Sequence, residues 1–151
     1  MVVGWSEWCG LPELGLPAIK VKVDSGATTS ALHAFNIKLF KKGEERFARF
    51  DIHPIQKNDK ISKTCVARLV DKRHVKSSSG DREKRPVILT PVTIAGQTWE
   101  IQVTLTNRDT MGFRMLLGRE AMNGRILIDP SSLYLHKKLS RKQARKLYRE
   151  E

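Results

Sequence analysis

Cysteine is scarce in this chain: 151 residues contain two, Cys9 and Cys65. Two thiols cannot form a disulfide framework, so a hydrophobic core has to hold the fold, and a cytoplasmic protein is expected. Long apolar runs are missing too, and none approaches the ~18 residues that a membrane-spanning helix needs. The start, Met1-Val2-Val3-Gly4-Trp5, has no basic stretch followed by an apolar one, so no signal peptide is expected. Aromatic residues make up only 7% of the chain, yet 40% hydrophobic content excludes wholesale disorder. Acidic residues are few. Sixteen Asp and Glu face 28 Lys and Arg, which leaves a net charge of +12. Such an excess points to acidic partners without choosing among them.

The charge is unevenly placed. Lys57 to Arg85 holds ten basic and four acidic residues, and Lys137 to Glu151 holds seven and two. These two segments carry +6 and +5, so the remaining body is close to neutral at +1. A general nucleic-acid-binding domain carries its charge on the folded face itself. The segment Lys72 to Pro86 is polar and turn-rich, and reads as a long mobile loop or hairpin tip.

The body reads mostly as strands. In Pro17 to Asp24, Ile19, Val21 and Val23 alternate with Lys20 and Lys22, the period of a half-buried strand. Phe35, Ile37 and Leu39 alternate likewise, as do Ala48, Phe50 and Ile52, and then Cys65, Ala67 and Leu69. Gly96-Gln97 reads as a tight hairpin turn leading into Ile101, Val103 and Leu105. Arg125 to Asp129 and Leu133 to Leu135 read as short strands. A short helix is expected around Arg119 to Met122, ended by Gly124. A second is expected in the tail, where Ser140 and Gln143 have capping-box spacing and Leu139 and Ala144 sit at staple positions.

The most informative point is the end of the first alternating strand, which runs into Asp24-Ser25-Gly26-Ala27 and then Thr28-Thr29-Ser30. An Asp there can present its carboxylate to a cleft, and Gly26 lets the backbone come close to it. Far along the chain, Met115-Leu116-Leu117-Gly118 is an apolar strand stopping at a glycine, followed by Arg119-Glu120-Ala121-Met122. This order of elements, from about Ala18 to Met122, resembles the retropepsin-like aspartic proteases. A wider set of segments is similar to one bacterial family, the RimB type, often labelled ATP-dependent zinc proteases and associated with ATP-grasp ligases that add glutamates to proteins. Those segments are GWSEW, LPELGLPAIKVKVDSGATTSALHA, KSSSG, LTNRDTMGFRMLLGREAM and ILIDPSSLYL.

The resemblance implies an all-β closed barrel of the acid-protease type, with a short helix after the Leu-Leu-Gly strand and a C-terminal helix. It divides the chain into a retropepsin-like domain, 1–136, and a basic tail, 137–151. Asp24 would be the catalytic aspartate, and Ser25, Gly26 and Ala27 would shape its loop. Leu116, Leu117 and Gly118 would form the supporting strand, with Arg119 bracing the site from behind. The hairpin around Val75 to Arg85 would take the flap position, with Arg73, Lys76, Ser78, Gly80 and Arg85 as candidates to meet an acidic substrate. Aspartic proteases need two carboxylates sharing one proton, and the chain has one Asp-Ser-Gly, so the second Asp24 would come from a homodimer partner.

These residues give the expectation of an aspartic endopeptidase acting on acidic or glutamate-rich peptides. The competing expectation is a non-catalytic module that recognises an acidic protein, the ribosome or RNA, in association with a ligase. A metal hydrolase ranks last: His33, His53, His74 and His136 are scattered, and no His-Glu-x-x-His occurs. No phosphate-binding Gly-rich loop is present either, so neither zinc nor ATP is expected as a cofactor. Asp129-Pro130 reads as a strand-ending turn.

Overall fold

Period-two alternation builds most of the molecule, which is 56% strand and 11% helix and so belongs to the all-β class. The computed structural model describes residues 1–56, 58–76, 80–107 and 112–149. The strands are β1 (Val2–Val3), β2 (Ser6–Leu11), β3 (Leu16–Val23), β4 (Ser30–His33), β5 (Phe35–Lys42), β6 (Glu45–Ile52), β7 (Lys63–Lys76), β8 (Arg82–Ile94), β9 (Gln97–Thr106), β10 (Met115–Leu117) and β11 (Leu127–Ile128). The helices are α1 (Arg119–Met122) and α2 (Arg141–Arg149).

Nine strands form one sheet in the order β2-β3-β10-β4-β9-β8-β7-β6-β5. β2 also meets β8, through Gly10 and Thr93, so six of the strands close into a ring. The sheet thus closes into a ring, as the all-β expectation has it, with a one-pair seam, and β7, β6 and β5 continue outward from it. β8 causes this. Its first part pairs with β7 from Arg82 to Leu89, and only its last turn of chain reaches β2. The outermost strand, β5, carries Lys38, Lys41 and Lys42, and charge on an edge discourages pairing with another chain.

The core lies inside the ring. Leu11, Leu16, Ile19, Leu32, Leu105 and Leu117 are each no more than 1% exposed. β10 explains its own sequence. It pairs in parallel with β3 on one side and antiparallel with β4 on the other, so three apolar residues in a row suit its position.

Several expectations shift in detail. The β8–β9 turn is Ala95-Gly96 rather than Gly96-Gln97, and both residues have positive φ, 55° and 76°. That pair of angles belongs to the hairpin turn whose twist matches its strands. The strand expected at Arg125 to Asp129 shrinks to β11, which pairs in parallel with β1. No strand forms at Leu133 to Leu135. Tyr134 has a φ of 49°, which breaks the extended chain, and the buried Glu7 carboxylate takes the Leu135 amide at 2.9 Å and the His136 amide at 3.3 Å. In the tail, Ser140 and Gln143 form the reciprocal capping bonds at 3.1 and 2.9 Å. Ala144 and Tyr148 of α2 are buried, and the Tyr148 hydroxyl donates to the Ala18 carbonyl at the start of β3.

Candidate functional site

β3 carries Asp24 to the edge of the core. The Asp24 amide donates to the Leu117 carbonyl at 2.9 Å, so the residue extends the β3–β10 ladder by one step. The chain then turns. The Gly26 amide donates to Asp24 Oδ1 at 3.0 Å, and the Ala27 amide to the Asp24 carbonyl at 3.2 Å. A Cβ on Gly26 would stand 3.2 Å from that same Oδ1, so glycine suits the close approach. Asp24 itself is half-buried, while Ser25 and Gly26 are exposed. The carboxylate is thus oriented from one side and open to solvent on the other.

The second chain segment locks this loop. The Arg119 and Glu120 amides, at the start of α1, donate to the Ala27 and Thr28 carbonyls at 2.8 and 3.1 Å. The Arg119 guanidinium reaches the Ser25 carbonyl at 3.2 Å, the Gly26 carbonyl at 3.4 Å and Thr28 Oγ1 at 2.9 Å. Three acceptors on one planar cation fix the loop while leaving the Asp24 carboxylate outside the contact. Below it, the Gly118 amide donates to Ser30 Oγ at 3.0 Å, and the Ser30 carbonyl accepts from Thr104 Oγ1 at 3.0 Å. Gly118 permits this crossing, since a Cβ there would sit 2.5 Å from the Thr29 carbonyl carbon. Leu117 is buried and Leu116 half-buried. Ser30 and Thr28 were not singled out as site residues. Their signal is the run Thr28-Thr29-Ser30 directly after the Asp24 loop.

The charged hairpin divides by its pleat. Arg73 pairs with Arg85 and Val75 with Glu83, which puts these four on one face. Lys72, His74, Lys76, Arg82 and Lys84 take the other face and are exposed. The expected set of substrate contacts is therefore split. Arg73 contacts Gln102 at 3.0 Å and Glu120 of α1 at 3.5 Å. Arg85 is 8% exposed and pairs with Glu83 at 3.1 Å. Both arginines are engaged with groups of the chain itself, and Lys76 points away from them. Gly80 is exposed, with a φ of 89°. Ser78 lies outside the described residues, as does Arg108.

Other titratable groups have structural duties. Asp129 accepts from the Ser131 hydroxyl, the Ser131 amide and the Ser132 hydroxyl, which hold it below the usual carboxylate range. It is a turn anchor, as its sequence suggested. His53 stacks on Phe35 with ring centroids 4.6 Å apart, and His136 Nε2 lies 2.6 Å from the Val2 carbonyl. Among the described residues no helix is long and apolar enough to cross a membrane.

Residues 2–139 match the RimB-like family model, described as retropepsin-like aspartic endopeptidase RimB. Curated relatives carry a different name. A Shewanella pealeana protein, 52% identical over 133 residues, is a "Probable alpha-L-glutamate ligase"; the match covers 88% of this chain and 29% of that protein. A Desulfotalea psychrophila protein with the same name is 46% identical over 150 residues, covering 99% of this chain and 32% of its own. The chain spans about a third of the length of these relatives. Among solved structures, a Legionella pneumophila protein of unknown function superposes with a TM-score of 0.76 at 28% identity, covering 90% of this chain and 98% of that one.

These names correct the functional expectation. Relatives about half identical to this chain are named ligases, so the reading of an aspartic endopeptidase with paired Asp24 carboxylates, and the hydrolase class with it, does not stand. The competing reading, a non-catalytic module for an acidic protein, the ribosome or RNA, gains no support from them either.

Proposed function

The chain belongs to the RimB-like family, and from that premise we propose that it serves α-L-glutamate ligation, with Asp24 handling the amine that enters the new amide bond. Ligation joins an amine to a carboxyl carbon. At neutral pH the amine arrives as an ammonium and has to lose a proton before it can attack. A carboxylate fixed at a strand end can bind the ammonium, orient it and take that proton. The nitrogen lone pair then forms the bond to an activated carboxyl carbon, and the activating group leaves. More than two thirds of each relative lies outside the match, and activation is assigned to that part.

One observation supports this reading most. The half-buried Asp24 carboxylate receives the Gly26 amide, while Arg119 spends its donors on the surrounding loop. The group is held in place yet left available. The test is a 15N-resolved NMR titration with the dipeptide L-glutamyl-L-glutamate. The amides of Ser25 to Thr28 and of Arg119 should shift saturably. Asp24→Asn should weaken binding about tenfold, the size of a lost charge-assisted contact, and Asp129→Asn should bind as the parent does. Equal binding by Asp24→Asn would overturn the assignment.

A further inference from the structure

The strand that carries Asp24 brings a second charge toward it. On β3, Val21 and Val23 turn into the core and are buried, so Lys20 and Lys22 lie on the opposite face, where both are half-buried. The Asp24 amide still bonds to the Leu117 carbonyl of β10, which continues the alternation and puts Asp24 on the face of Lys22. Residues two apart on a strand stand about 6.6 Å from each other along its axis. A cation and a carboxylate are thus neighbours at the end of β3.

The two charges do not consume each other. Beside Lys22 the sheet offers Ser6 of β2 and Leu116 of β10, both uncharged. Among the described residues the Lys22 ammonium has neither a hydrogen bond nor an ion pair, and none joins it to Asp24. The cations around it are engaged. Lys20 lies over the rings of Trp8 and Tyr134, 5.5 and 5.7 Å from their centroids. Arg119 donates to the Ser25 and Gly26 carbonyls and to Thr28. A half-buried ammonium without an acceptor bears part of its desolvation cost uncompensated, and an incoming carboxylate would offset it.

We propose that Lys22 selects glutamate, by holding the side-chain carboxylate of the unit whose amine sits on Asp24. This rests on the reading of Asp24 as the group that handles the amine. With contacts of about 2.8 Å at each end, an extended glutamate can bridge two side chains that leave the strand about 6.6 Å apart. The flexible lysine stem adapts the reach. Two opposite charges on the unit meet two on the strand, which also fixes its direction: amine at the strand end, side chain back along β3. An amino acid without the side-chain carboxylate leaves Lys22 unpaired and binds more weakly.

The probes are L-glutamyl-L-glutamate and L-norvalyl-L-glutamate. They differ only in the residue that bears the free amine, where norvaline has a methyl group in place of the carboxylate. Binding to the full chain is read from the amides of Ser25 to Thr28 in 15N-resolved NMR. The parent should bind the glutamyl peptide about tenfold tighter than the norvalyl one. Lys22→Met keeps most of the stem and loses the charge, and should bind both peptides as the parent binds the norvalyl one. Lys22→Arg should retain the preference, and so should Lys20→Met. Asp24→Asn should weaken both peptides. A preference absent from the parent, or unchanged in Lys22→Met, would overturn the role of Lys22, and weakening by Asp24→Asn would then show that the Asp24 reading survives. Binding of neither peptide by the parent would overturn both readings.

Discussion

Gly118 shows how one missing methyl group can position a site. Its backbone passes so close to Thr29 that a Cβ would stand 2.5 Å from a carbonyl carbon and 2.9 Å from the Ser30 amide. Backbone atoms cannot give way as a side-chain tip can. Gly118→Ala is therefore expected to destabilise the fold by about 3 kcal/mol, the upper end of overpacking costs, measured by urea denaturation. Gly124→Ala serves as a contrast, because nothing lies within 4 Å of a Cβ there and only its φ of 75° opposes the change. The two thiols make a second prediction at this scale. Burial pushes both Cys9 and Cys65 from 9.0 up to about 12. The fold then holds protons that the unfolded chain releases near pH 9. Stability should be fully present below pH 9 and fall as pH rises toward 12, by about 1.4 kcal/mol per pH unit for the fully buried Cys9. Unfolding free energies at pH 8, 9.5 and 10.5 should show the decline, and Cys9→Ala should flatten it. An unchanged slope in Cys9→Ala would remove Cys9 as its source.

At the scale of elements, a buried acid takes the place of a strand. Glu7 on β2 is fully buried and accepts the backbone amides of Gly4 at 2.8 Å, Leu135 at 2.9 Å and His136 at 3.3 Å. It ties the segment after β11 to the ring where no ladder does. Gln in its place keeps one acceptor oxygen and turns an NH2 toward an amide donor. Glu7→Gln should therefore cost about 2–3 kcal/mol, with early loss of amide-exchange protection at Leu135 and His136. Protection that survives unchanged would mean the segment is held elsewhere. This element also marks where sequence reading stops. Alternation in Ile19, Val21 and Val23 is a local signal, and so is the Ser140–Gln143 cap; both appear in the fold as read. Leu133 to Leu135 also alternates, but Tyr134 takes a positive φ to meet Ser6, whose carbonyl accepts its amide at 3.0 Å. That partner is more than a hundred residues away, and no local pattern announces it.

For the whole molecule, the arrangement around Asp24 depends on contacts between distant segments. The Asp24 loop and the Leu-Leu-Gly strand were legible as motifs, because each is short and chemically distinctive. Their mutual locking through Arg119, Ser30 and Thr104 was only partly legible: the bracing arginine was expected, whereas Ser30 and Thr104 look like ordinary polar residues in sequence. The hairpin's pleat sends Arg73 and Arg85 to one side and Lys76 to the other, a division that the run of charges in sequence does not announce. The ring with its one-pair seam was not legible either, because the Gly10 and Thr93 contact spans most of the β unit. The central claim concerns Asp24 in ligation, and it can be measured in a chimera. This chain replaces the matching third of the Desulfotalea psychrophila relative, and incorporation of radiolabelled L-glutamate into an acceptor peptide is followed. The expected result is incorporation with Asp24 and a loss of about 10²-fold or more with Asp24→Asn, as removal of a general base gives. Incorporation at the parental rate by a folded Asp24→Asn chimera would contradict it.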